Sequence, residues 1–115
     1  MDLDKTEGQM QRKFTQMVGK LIEYAYAHGY ELSFGDAYRD PRSHGKWGFK
    51  LGYSEAHSQH KRRMAVDFNL FRNGSYLVRT EDHRELGEFW ESLGGTWGGR
   101  WNDGNHYSVE YHGYK

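Results

Sequence analysis

Cysteine is missing from this 115-residue sequence, which excludes disulfides and thiolate metal sites. Any transition metal held by the chain must therefore use His, Asp or Glu. Net charge is missing too, because sixteen basic residues cancel sixteen acidic ones. That balance argues against a general binder of nucleic acid or anionic membrane, although a local patch is compatible with it. No long apolar run occurs, so no secretory signal or membrane insertion is expected, and the folded protein should begin in the cytoplasm. The length suits a single domain over 1-115, with residues 1-9 loose. Aromatic residues are plentiful at 17%, with nine Tyr and four Trp, against a mean hydropathy of -1.05. Two explanations fit equally: an aromatic-lined cleft for peptides or sugars, or aromatics replacing scarce aliphatics in a small core.

Periodicity divides the chain. From Met10, the residues Phe14, Met17, Val18, Leu21, Ile22 and Ala25 recur at helical spacing, and Gly29 offers a C-terminal stop. Glu31 to Arg39 alternates as a strand, with Leu32, Phe34 and Tyr38 on one face and Ser33, Gly35, Ala37 and Arg39 on the other. Small residues leading to Arg39 suggest a floor with room for a ligand; a solvated arginine at a strand end is the plainer alternative. Asp40-Pro41 then breaks the strand. Residues 42-57 lack a helical period and read as a loop or loose hairpin bordering a cleft. Arg72-Asn73-Gly74-Ser75 is a tight-turn signal leading to a short return strand, Tyr76-Leu77-Val78. Thr80-Glu81-Asp82 opens a second helix, with Asp82 and Glu85 spaced as a capping box. Leu86, Phe89, Trp90 and Leu93 are its buried stripe, and Gly94-Gly95 ends it. A non-periodic glycine- and tryptophan-rich loop follows, and His106 to Tyr111 closes the chain as a strand. Separated helices and strands in this order predict an α+β fold with a mainly antiparallel sheet.

The most telling stretch is Ser58 to Asp67 and the strand it opens, Ala65 to Phe71. Alternation puts Val66, Phe68 and Leu70 on a core face and Ala65, Asp67, Asn69 and Phe71 on the other. A carboxylate in the middle of an apolar strand is costly unless it is paired or bound to a metal. His60 stands at the mouth of that strand. On the last strand Tyr107, Val109 and Tyr111 face the core, while His106, Ser108 and Glu110 face away. If the two strands are neighbours, with helices covering one face, then His60, Asp67 and His106 converge on the other. Two imidazoles and a carboxylate around an open position make a catalytic Zn2+ site, which renders a bound water acidic near neutral pH. Such a site needs a base, and Asp103 sits on a glycine-flanked turn before His106.

These motifs resemble the zinc D-alanyl-D-alanine carboxypeptidases, above all their phage-endolysin branch, the L-alanyl-D-glutamate endopeptidases of peptidoglycan. A Ser-x-His-x-x-x-x-Ala-x-Asp motif is matched by Ser58, His60, Ala65 and Asp67. The later Trp-Gly-Gly-x-Trp, then Asp-x-x-His and an aromatic, is matched by Trp97, Gly98, Gly99, Trp101, Asp103, His106 and Tyr107. A Tyr-Arg at the end of the first strand is matched by Tyr38 and Arg39. The resemblance implies a hedgehog/DD-peptidase-like fold, with two helices on one face of the sheet and a zinc cleft on the other. It implies His60, Asp67 and His106 as metal ligands, Asp103 as catalytic base, and Arg39 as catalytic and substrate-binding through the oxyanion or a carboxylate. Trp97 and Trp101 would line the substrate, a peptidoglycan stem peptide. A monomer is expected, in the bacterial host cytoplasm before lysis, with a phage holin for release, or carried in a virion.

Two departures stand out. Arg63 occupies a position where the family usually has glycine, so the loop before the strand should take another path. The gap from Trp101 to Asp103 is short, which makes Glu110 the reserve base. Plainer readings also exist: a metal-free buried cluster for His60, Asp67 and His106, a turn role for Asp103, and hydrophobic plugs for Trp97 and Trp101. His28, His44, His57, His83 and His112 match no motif and read as surface or capping residues. Lys61-Arg62-Arg63 beside His60 would suit a metal-dependent nuclease or nucleic-acid-binding domain, which the missing net charge disfavours. A wall-binding protein without catalysis is a third class, disfavoured by the intact ligand set.

Overall fold

The computed structural model describes residues 6-35 and 63-111. Helix α1 is Glu7–Ala27 and starts a turn earlier than the hydrophobic period predicts. The cause is a capping box: Thr6 Oγ1 accepts from the Gln9 amide at 3.2 Å, and Gln9 Oε1 accepts from the Thr6 amide at 2.9 Å. Its stripe of Met10, Phe14, Met17, Leu21 and Ala25 is buried. Gly29 ends the helix in the left-handed region, φ 85°, and the Tyr30 amide returns to the Ala25 carbonyl at 2.9 Å.

Among the described residues five strands follow: β1 Glu31–Phe34, β2 Ala65–Arg72, β3 Ser75–Leu77, β4 Thr96–Trp97 and β5 His106–Ser108. The path runs β1-β2-β5-β4, β3 also pairs with β2, and every pairing is antiparallel. β1 and β3 both pair with Leu70 and Phe71, so they lie on opposite edges of β2. At Asp67 the β1 side is taken by the Gly35 amide and the other side by His106 of β5. One edge of β2 is thus shared in series by β5 and β3. Asn73 and Gly74, both with positive φ (53° and 79°), form the tight turn between β2 and β3.

Helix α2 is Arg84–Ser92, entered through a 3-10 turn at Thr80–His83. Here the structure corrects the expected cap. Asp82 closes back on the Arg79 amide at 3.1 Å, not forward. Glu85 instead accepts hydrogen bonds from the Tyr24 and Tyr30 hydroxyls, both at 3.1 Å, tying α2 to α1. Leu86 and Trp90 of α2 share one core with the α1 stripe, Val66, Phe68 and Leu70 of β2, and Tyr107. Both helices therefore cover the same face of the sheet. The architecture is α+β with an antiparallel sheet, as the periodicities imply. Among the described residues, no helix is long and apolar enough to cross a membrane.

Candidate metal centre

Asp67 and His106 are direct partners across the β2–β5 ladder. Their side chains emerge on the face away from the helices, because their neighbours Val66, Phe68 and Tyr107 take the core face. His106 Nδ1 lies 3.6 Å from Asp67 Oδ1. That is too long for a hydrogen bond between the two. It does match two ligands of one tetrahedral zinc, whose donors at ~2.0–2.2 Å stand about 3.3–3.6 Å apart. Asp67 Oδ1 is sealed from solvent and His106 is buried. An anionic oxygen and an imidazole nitrogen facing each other in a shielded place suit a divalent cation, which offsets the cost of burying the carboxylate.

The backbone beside the pair is kept narrow. The Gly35 amide donates to the Asp67 carbonyl at 2.7 Å, and a Cβ on Gly35 would stand 3.1 Å from that oxygen. His60 and Arg39 lie outside the described residues, as do Tyr38 and Ser58. Among the described residues, no group of three His, Asp or Glu could hold a metal; of the three residues expected as ligands, Asp67 and His106 are described and lie side by side.

Asp103 is exposed on the loop that delivers His106. Its amide donates to the Gly98 carbonyl at 2.8 Å, and its own carbonyl accepts from the His106 amide at 3.1 Å. A Cβ on Gly98 would collide with both partners, at 2.2 Å from the Asp103 oxygen and 2.6 Å from His106 Cβ. Asn102, at φ 63°, makes the left-handed step that closes the short gap from Trp101. Base candidate and ligand candidate are thus fixed by one small turn. Glu110, the reserve base, is half-buried two residues beyond the end of β5.

The two tryptophans divide. Trp97 is fully buried, so it does not wall a substrate cleft. Its indole fits where any Cβ on Gly87 or Gly99 would overlap it, and Nε1 donates to the Gly104 carbonyl at 2.7 Å. The Gly104 amide in turn donates to Thr80 Oγ1 at 3.1 Å. Trp97 is a strut under the Asp103 loop. Trp101 is 47% exposed, and its ring centroid lies 5.5 Å from that of His106. Of these two tryptophans, Trp101 is the one whose ring is open to solvent beside the Asp67–His106 pair.

Arg63 occupies left-handed backbone, φ 62°, which a glycine would fill at no steric cost. At this residue the chain thus adopts glycine-like geometry with an arginine side chain. Other useful residues carry no motif signal. His106 Nε2 lies 3.0 Å from Ser108 Oγ. On the same open face, Asn69 donates to Ser33 Oγ at 3.2 Å and accepts from the Tyr76 hydroxyl at 3.3 Å. A polar cleft of about 180 Å3 adjoins them, lined by Asn69, Tyr76, Arg79, Asn102 and Asp103. His83, expected at the surface, is buried and shares a 2.8 Å hydrogen bond with the Tyr107 hydroxyl. Burial pushes its pKa down to about 4 and pushes the Tyr107 phenol above its ordinary range.

Fold and site together describe a small α+β protein with two metal-ligand candidates on the open face of an antiparallel sheet. A family model described as D-alanyl-D-alanine carboxypeptidase matches residues 52–109, just over half of the chain. The chain belongs to that family, and so, at family level, to the peptidases that act on peptidoglycan. The matched segment contains His60, Asp67, Asp103 and His106, while Arg39 precedes it. Among curated proteins, none matches the sequence.

Proposed function

We propose that this chain is a zinc peptidase that cleaves peptidoglycan stem peptides, acting as a phage or prophage endolysin of the L-alanyl-D-glutamate endopeptidase type. The observation that carries this reading is the Asp67–His106 pair, 3.6 Å apart, inside a peptidase family match that also spans His60 and Asp103. His60, Asp67 and His106 would hold the metal. Zinc, when bound, supplies Lewis-acid polarisation of a peptide carbonyl and acidifies water. Asp103 takes a proton from the attacking water and returns it to the leaving amine, a role open to an exposed carboxylate beside the ligand. Arg39 holds a substrate carboxylate or the developing oxyanion. Trp101 offers an apolar wall, and the cleft by Asp103 receives the polar peptide beyond the scissile bond. The family description favours a second reading, a D-alanyl-D-alanine carboxypeptidase built on the same residues. In the endolysin reading, the protein collects in the host cytoplasm, and a holin or a virion delivers it to the wall.

The test is zinc content together with mass spectrometry of muropeptides from purified walls, for wild type and Asp103→Ala. Wild type should carry one zinc and release a new D-glutamate amino terminus; released D-alanine would mean the carboxypeptidase. The variant should keep its zinc and lose cleavage by about 100-fold or more. Continued cutting would move the base to Glu110. Zinc without wall cleavage would turn attention to nucleic acid, and wall binding without zinc to a non-catalytic wall protein.

A further inference from the structure

We propose that Ser108 is a positioning residue for the metal centre: its hydroxyl fixes the ring orientation and tautomer of His106, so that Nδ1 presents its lone pair toward Asp67. The proposal rests on the metal-centre reading above. His106 has two neutral tautomers, and its two ring nitrogens meet different surroundings. Nε2 is 3.0 Å from Ser108 Oγ, within hydrogen-bond reach. Nδ1 is 3.6 Å from Asp67 Oδ1, beyond that reach but at the spacing of two ligands on one zinc. With the proton on Nε2, the ring donates to Ser108 and the Nδ1 lone pair can face a cation. With the proton on Nδ1, the ring aims a proton at the place where the cation would sit. A hydroxyl can accept from the first tautomer, and a metal at Nδ1 requires it.

Ser108 is unusually well placed for this work. It is fully buried in β5, paired with Ala65 on one side and Thr96 on the other. Its carbonyl accepts from Trp90 Nε1 at 2.8 Å, so the buried face of α2 anchors its backbone from below. Gly95 leaves room for that indole, since a Cβ there would stand 2.1 Å from Nε1. Helix, serine and histidine thus form one continuous chain of contacts ending at the metal pair. Partners of this kind outside the ligand set hold a metal-binding imidazole in place, and losing one weakens metal affinity about 10–100-fold.

The experiment uses Ser108→Ala, which removes one oxygen and leaves the buried shape nearly intact. Zinc affinity by chelator competition should fall about 10–100-fold, while the denaturant midpoint of the metal-free protein stays near that of wild type. Long-range 15N–1H NMR, at a pH where imidazole is neutral, should place the His106 proton on Nε2 in wild type and divide it between both nitrogens in the variant. Unchanged zinc affinity, or a wild-type proton on Nδ1, overturns the proposal. If wild type binds no zinc, the metal-centre reading falls on its own. The NMR result then decides Ser108: an Nε2 proton lost from preference in the variant upholds its orienting role, and an unchanged tautomer ratio overturns it.

Discussion

Gly98 shows how little space separates the chemistry from the backbone that carries it. The added methyl of Gly98→Ala would sit 2.2 Å from the Asp103 carbonyl and 2.6 Å from His106 Cβ, so the turn must open. The Gly98 carbonyl also receives the Asp103 amide, so the displacement reaches both the base candidate and the ligand candidate. Gly98→Ala should therefore lose zinc affinity and cleavage together, unlike Asp103→Ala, which should lose cleavage alone. Chelator competition and muropeptide assays on the two variants separate the cases. Trp97 belongs to the same scale. Trp97→Phe removes the donor to Gly104 and should cost about 1–3 kcal/mol in urea unfolding. Both predictions concern residues named in the family motif whose work is to shape the loop.

At the scale of elements, the turn into α2 carries a pH dependence. His83 is held near a pKa of about 4 by burial, against 6.5 when unfolded, with Asp82 opposing the shift. Above pH 6.5 it is neutral in both states and costs nothing. As pH falls from 6.5 toward 4 the unfolded chain gains a proton that the folded one refuses, so stability drops by about 3 kcal/mol. Denaturant unfolding across that window should show the loss in wild type and a flatter profile in His83→Gln; equal slopes would remove His83 as the cause. This histidine was illegible in the sequence, because its burial comes from Tyr107 on a strand far along the chain. The early start of α1 is hidden for a different reason: Thr6 and Gln9 lie in a charged stretch with no hydrophobic period, so their reciprocal bonds are what reveal the cap. Strand faces were readable. Period-two alternation places Asp67 and His106 opposite the core whatever the topology, and β2–β5 pairing then makes them neighbours. Trp97 and Trp101 look alike in the motif; what sends one inside is room at Gly87 and Gly99, which only tertiary packing creates.

For the molecule as a whole, the proposed cation joining β2 to β5 would bind the folded chain and not the unfolded one. Zinc at about 100 times its dissociation constant should add on the order of 3 kcal/mol to stability, and a chelator should remove it. A thermal midpoint indifferent to both would count against the metal centre, independently of any peptidase assay. Of the family motif, Asp67, Asp103 and His106 are placed by the structure, while His60 and Arg39 lie outside the described residues. The cleft beside Asp103 was not legible in the sequence, because β3 and the loop before β5 form it from opposite ends of α2.

The pairing of Asp67 with His106 also sets an order of events. One residue lies on β2 and the other on β5, and everything from the β2–β3 turn through α2 and β4 intervenes. Local segments such as α1 and the β2–β3 hairpin can form early, but this contact closes a long loop and must wait for it. During refolding, high-affinity zinc uptake should lag behind the gain of helical signal, making the metal a timer for the docking of the last strand.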